Sequence, residues 1–293
     1  MIGILSLQVI SPTPDTAPAT LRDRMRALLL RIRGRHYTPH YIISFYFNTV
    51  GLLSRANYPR YRWLTRWPSP LKLHLGCGPI YIPGWVNFDG LLVWKTDAFL
   101  DIRAGLPFAD NTVEGIYTCH TLEHFYFDQL LGILREMHRV LKPGAAFRIV
   151  VPSLEKAIDA YVARRAETAQ KNAGAQAEEE GEAKVEAEAK DRPKAPSRHG
   201  DFHSRGAHFN WETLCDNQHP IMLDFTLLSE LLQSTGTWTD LHETGPQRSI
   251  FMSPTELETA EGARVEYIGA SLVVEGRKAG PLSAGTSGVS KPA

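Results

Sequence analysis

The run LKLHLGCGPIYIPGWVNFDG, Leu71 to Gly90, constrains this chain more than any other stretch. An apolar strand candidate runs into a Gly-x-Gly turn, and a second strand candidate ends on an acid. Glycines at the carboxyl end of a parallel strand let the backbone turn sharply and approach a ligand more closely than a side chain would allow. Such a unit belongs in an α/β sheet, and the segments after it continue one. LKLHL (71–75), WVNF (85–88), AFLDI (98–102), GIYTC (115–119) and AFRIVV (146–151) read as strands. Between the last two, Leu130, Leu131, Leu134, Met137, Val140 and Leu141 recur at helical spacing from about Asp128, and Lys142-Pro143-Gly144 stops the helix. Strand, crossover helix and strand predict parallel pairing. Farther on, FTLLSELLQSTG (225–236) reads as an amphipathic helix, and WTDLHE (238–243) and YIGASLVVEG (267–276) as strands.

The residues after the turn decide what it grips. A phosphate loop needs a Gly-Lys-Ser/Thr ending, whereas Gly78 is followed by Pro79, Ile80 and Tyr81. The dinucleotide fingerprint fails too, because Tyr81 stands where its third glycine would admit a pyrophosphate. What remains is a Gly-x-Gly turn followed by Asp89 at the end of the next strand. An aspartate there can accept hydrogen bonds from both hydroxyls of a ribose. Asp101 repeats the placement one strand later, where an adenine amino group could reach it. For each acid taken alone, the competing reading is a turn or helix-cap residue.

Composition divides the rest. Residues 1–68 form an N-terminal arm and a basic amphipathic helical extension in which Arg22, Arg24, Arg26, Arg31, Arg33 and Arg35 surround a leucine stripe. Two readings stay open: a helical lid with solvated arginines, or peripheral contact of residues 20–68 with an anionic inner membrane surface. Residues 69–163 are the expected cofactor-binding core. Residues 164–200, rich in Ala, Glu and Lys, are expected to be a solvated helix or a disordered insertion. Residues 201–278 complete the core and open on HGDFHSRGAHFNWE (199–212), a lid or loop candidate holding His199, His203 and His208; 279–293 are a polar tail. Lys and Arg total 32, as do Asp and Glu, so no global field favours nucleic acid and none is expected as a partner. Cys77, Cys119 and Cys215 lie far apart without a CxxC pair, which suggests neither disulfides nor structural zinc and points to the cytoplasm. The opening MIGILSLQVISPTP is a poor secretory signal, and Tyr41 to Leu53 is well short of the roughly 20 residues a spanning helix needs.

HLGCGP with PGWVNFD, then DIRAGLPFADNTVEGIYTCHTLEHF, then LREMHRVLKPGAAFRIVVPS, resemble the class I S-adenosylmethionine-dependent methyltransferases. The resemblance is to the type 11-like branch found among enzymes that modify cell-surface sugars and small metabolites, and it covers about residues 70–153. It implies a Rossmann-like, doubly wound, mostly parallel seven-stranded sheet, here with a helical N-terminal extension, and S-adenosylmethionine as cofactor. It also implies that Gly76, Cys77 and Gly78 lie against the methionine part and Asp89 holds the ribose. Asp101 and Ile102 would border the adenine, and Cys119 and His120 would face the reactive end. The chain departs from the pattern at Ile80, where the fuller motif has a third glycine, and at His74, where it has an acid. The segment from Gly78 to Asp89 is also short for a first helix.

Methyl transfer from a sulfonium chiefly requires alignment and exclusion of water. A hydroxyl acceptor must also lose a proton, and His120 and His124, with Glu123 beside them, are the candidate bases. Were a helix to begin after Cys119, His120 and His124 would share one face at i and i+4, as in half of a metal site. No third ligand stands at a recognisable spacing, so no metal is expected. Glu123 and His124 could equally shape the pocket through helix-start hydrogen bonds. The expected activity is methyl transfer to a hydroxyl or carboxyl of a small-molecule or saccharide acceptor; the alternative is a catalytically inactive binding or scaffold protein of the same fold.

Overall fold

The computed structural model describes residues 66–90, 95–177 and 219–280, with parts of 49–64 and Phe209. The arginine stripe, the stretch 199–212 apart from Phe209, Cys215 and nearly all of the tail lie outside the described residues.

Seven strands form one sheet in the order β3-β2-β1-β4-β5-β7-β6. They are β1 (Lys72–Leu75), β2 (Val86–Asp89), β3 (Ala98–Phe99), β4 (Val113–Cys119), β5 (Leu141–Pro152), β6 (Trp238–Glu243) and β7 (Ser271–Lys278). β1 to β5 pair in parallel, and β7 runs antiparallel between β5 and β6. The doubly wound, mostly parallel sheet expected from the sequence is therefore present. Two strand expectations shorten. AFLDI is extended only at Ala98–Phe99, because Asp101 caps a 3-10 turn over Ile102–Ala104. In YIGASLVVEG, the first residues finish a short helix, so β7 begins at Ser271.

Strand alternation gives the sheet two unlike faces. Leu73, Leu75, Val86, Phe88, Ile116, Phe147, Ile149, Val151, Leu272 and Val274 point to one, the main apolar core. Helices α1 (Phe127–Val140) and α3 (Phe225–Thr235) cover it with Leu130, Leu134, Met137, Leu228 and Leu232. Trp67, at the end of the N-terminal zone, joins this side against Phe88 and Phe108. Helix α2 (Leu154–Ala177) follows β5 and carries helix into the first part of the Ala/Glu/Lys-rich segment. No helix among the described residues is long and apolar enough to cross a membrane.

The other face lacks the helix that would ordinarily follow β1, as the short Gly78–Asp89 spacing anticipates; residues 76–85 make turns. Asn87 holds these turns by accepting from Ile82 N and donating to the carbonyls of Ile82 and Trp85, each at 3.0 Å. Cover comes instead from between β6 and β7: α4 (Pro254–Glu261), begun by a Ser253–Glu256 capping box, and α5 (Val265–Gly269). Leu257, Ala260 and Ile268 pack there on Trp85, Tyr117, Val150 and Val273. Glu256 accepts from Lys72 Nζ (2.9 Å) and Trp85 Nε1 (2.7 Å), tying α4 to the first two strands.

Beneath this cover, Asn87, His74, Tyr117, Arg148 and Glu275 stand side by side in register across β2, β1, β4, β5 and β7. Burial is possible because each is partnered. Arg148 Nε and a terminal nitrogen donate to Glu261 at 2.8 and 3.0 Å, and its other terminal nitrogen donates to Glu275 at 3.0 Å. The same guanidinium donates to the carbonyls of Gly245 and Arg248, while Gln247 N and Ile250 N donate to the two glutamates. One buried cation thus pins the loop ahead of α4 to the sheet.

Candidate active site

The carboxyl ends of β1, β2, β4 and β5 converge at one edge of the sheet. Gly76 and Gly78 both lie in the left-handed region (φ 68° and 53°). At Gly76 the reason is a close approach, since a Cβ there would sit 2.2 Å from Thr121 Oγ1 in the loop after β4. Thr121 Oγ1 in turn donates to Gly76 O at 3.3 Å, so the two loops are stitched together. Gly78 differs: nothing lies within 4 Å of the place its Cβ would occupy, which leaves open space beside the turn.

Asp89 ends β2, buried, and its Oδ2 accepts from Gly78 N at 2.8 Å. A carboxylate offers about four acceptor positions, so this bond fixes the group against the turn and is compatible with a ribose hydroxyl on it. Asp101 takes up the cap role: it accepts from Arg103 N and is bridged by the Arg103 guanidinium at 2.7–3.1 Å. Ile102 is buried just after it. Asp97, which the sequence reading passed over, accepts from Tyr81 OH (2.8 Å) and from Asn87 N (2.8 Å). Tyr81 is thereby braced across the loop, with Lys95 Nζ 4.2 Å from its ring centre.

His74 faces the sheet cover. Its Nδ1 lies 3.2 Å from Asn87 Oδ1 and its ring is 5.0 Å from that of Tyr117. Burial drives its pKa down to about 3, against a raising hydrogen bond from Asn87, so the imidazole is neutral. Burial also pushes the Cys77 thiol far up and the Cys119 thiol to about 11, which keeps both protonated and leaves the histidines and Glu123 as the proton-handling groups near the turn.

Those groups cluster immediately beyond β4. His120 is buried with φ 50°; its Nε2 is in hydrogen-bond contact with Ser271 Oγ at 2.9 Å, and its Nδ1 lies 3.3 Å from Glu123 Oε1. The expected i,i+4 pairing of His120 with His124 on a helix face does not form. His120 is a left-handed strand-end residue, and only Leu122–His124 turns, as a 3-10 segment, before α1 begins at Phe127. Instead His124 Nε2 and His219 Nε2 each lie 3.9 Å from Glu123 Oε1, and the two imidazoles meet edge to face at 4.7 Å. Burial alone would raise the Glu123 carboxyl, but the imidazoles of His120, His124 and His219 outweigh it and hold it at about 2. His219 was absent from the sequence-derived set. It arrives on a segment whose Leu223 bridges to Ser153 at the end of β5, and HPIM carries no spacing that connects it to His124.

A family model described as a methyltransferase domain matches residues 94–149, the span from β3 to β5 that carries Asp101 and Cys119 to His124. Comparison with curated protein sequences returned no match. Among solved structures, a chain of the complex between the Haloferax volcanii Trm112 methyltransferase activator and a methyltransferase is 12% identical over 83% of this chain and 100% of that one, with a TM-score of 0.41. A SAM dependent methyltransferase from Archaeoglobus fulgidus is 12% identical over 82% and 100%, with a TM-score of 0.38. Phosphoethanolamine N-methyltransferase 2 of Haemonchus contortus, in complex with S-adenosyl-L-methionine, is 10% identical over 77% and 52%, with a TM-score of 0.37. The methyltransferase-domain match thus falls within the sheet ordered β3-β2-β1-β4-β5-β7-β6, whose glycine turn is clasped to a strand-end aspartate.

Proposed function

We propose that the chain transfers a methyl group to a hydroxyl or carboxyl of a small-molecule or sugar-like acceptor, at the edge where β1, β2 and β4 end. The observation that carries this reading is the Ser271–His120–Glu123 arrangement beside the glycine turn. Bound S-adenosylmethionine supplies the electrophilic methyl carbon. Gly76, Cys77 and Gly78 let the backbone lie against its methionine part, Asp89 accepts from the ribose, and Asp101 and Ile102 border the adenine. His120 is the group that takes the acceptor's proton, its ring set between Glu123 Oε1 at 3.3 Å and Ser271 Oγ at 2.9 Å. Burial at Cys119, His120 and Glu123 keeps water from the transferring carbon.

An inactive cofactor-binding module is the second reading, and the buried, neutral His74 at the position where the resembled motif would have an acid is the observation on its side. Calorimetry on the full chain with S-adenosylmethionine, its demethylated product and NAD tests the first link. Binding of both sulfur compounds and not NAD is expected; binding of neither overturns both readings. Asp89→Ala should weaken that binding by about 1.5–3 kcal/mol, the worth of a hydrogen bond to a charged group, and an unchanged affinity would remove its ribose role. Turnover of the bound cofactor over a panel of hydroxyl and carboxyl acceptors then separates the enzyme from the inactive module.

A further inference from the structure

Glu123, His124 and His219 each offer one ligand atom, and these atoms all lie within 4.8 Å of one another. We propose that the three side chains hold a divalent transition-metal ion of the zinc class. One carboxylate with two imidazoles is a donor set that zinc takes readily, leaving a fourth position open.

A second observation points to a cation independently of the spacing. Glu123 is almost completely buried, and neither of its oxygens has a hydrogen-bond partner among the described residues. A buried carboxylate left this way is costly unless something positive meets it. No lysine or arginine pairs with Glu123 among the described residues, whereas the equally buried Glu261 and Glu275 share Arg148. The imidazoles approach Glu123 at 3.3–3.9 Å without hydrogen-bond geometry to it.

The geometry requires little movement. Zinc bonds of about 2.1 Å in a tetrahedron set ligand edges of roughly 3.4 Å, against 3.9 Å from Glu123 Oε1 to each imidazole nitrogen. His219 sits at the rim of the cluster with 8% of its surface exposed, the side from which an ion can enter. His120 contacts the same carboxylate oxygen from within, as an outer neighbour that orients Glu123. Only the use of the fourth position rests on the methyl-transfer reading. An acceptor oxygen held there would become more acidic, because a bound cation lowers the pKa of a coordinated hydroxyl.

The test uses the full chain, freed of any affinity tag, stripped with chelator and titrated with Zn2+ by competition against a chromophoric chelator. One tight equivalent is expected, and His219→Ala should weaken it at least about 100-fold. Co2+ added to the unmutated chain should give the intense visible bands of a low-coordinate nitrogen and oxygen site, which keeps the test valid should the variant fold poorly. Absence of a tight Zn2+ equivalent, or an equal affinity in a folded His219→Ala chain, overturns the site. S-adenosylmethionine binding is measured on the same samples. Cofactor binding without zinc binding removes the metal and leaves the methyltransferase reading standing, and zinc binding without cofactor binding does the reverse.

Discussion

Arg148 with its two glutamates and Glu123 with its three histidines are both buried ionisable clusters on the same sheet, and they are finished differently. Around Arg148, both glutamates and the guanidinium are saturated with charge-assisted bonds and backbone donors. Around Glu123, histidines crowd in but both carboxylate oxygens lack hydrogen bonds. A saturated cluster has nothing further to bind and serves as a clasp. An unsaturated one at the strand ends, next to the glycine turn, retains capacity for a proton or a ligand.

The contrast breaks most visibly at Arg148. Arg148→Ala leaves two uncompensated buried carboxylates and should cost about 3–5 kcal/mol in urea unfolding; a loss near zero would mean that the clasp does not hold the loop ahead of α4. The pH dependence ranks next. His74 has its folded pKa near 3, below its ordinary 6.5, so the unfolded chain binds a proton that the folded chain refuses. Its contribution is complete above pH 6.5 and is lost as pH falls toward 3, by at most about 1.4 kcal/mol per pH unit. His74→Gln should flatten the stability curve between pH 6.5 and 4, and parallel curves would show that His74 is not the group responsible. The smallest effect is expected at the unsaturated cluster. Glu123→Gln, unfolded at pH 8 in chelator, should cost less than Arg148→Ala, because it removes imidazole contacts at 3.3–3.9 Å and leaves no uncompensated buried charge behind. A loss as large as that at Arg148 would erase the distinction between the clusters.

Sequence patterns revealed the frame well and the site in part. Alternation in LKLHL and AFRIVV, the leucine spacing from Asp128 and the stop at Lys142-Pro143-Gly144 are local signals, and α1, β1, β4 and β6 fall within a few residues of them. The glycine turn and Asp89 were legible because close backbone approach leaves a residue-type mark. The Glu123 cluster was legible only as its near neighbours in CHTLEHF. A helical i,i+4 reading assumed a regular helix where the chain makes a left-handed residue and a 3-10 turn, and His219 joins through tertiary packing that no spacing encodes. The stripe from Asn87 to Glu275 was hidden for a similar reason: each strand contributes one polar residue that alone reads as facing solvent. The signal for α4 was present, since Ser253-Pro254-Thr255-Glu256 is a helix-start pattern.

Cover for the β1–β2 face from α4 and α5 also bears on how the chain is born. Lys72 and Trp85 meet Glu256 across separations of 184 and 171 residues, so the first strands leave the ribosome long before their lid. Until then Trp85 and the stripe from Asn87 to Arg148 stand open to solvent and to other chains, the condition in which loop-closure entropy slows folding and chaperones find clients. Synthesis that stops short of Ser253 should therefore yield a sheet without β7 and with one bare side, recovered in aggregates rather than in soluble form.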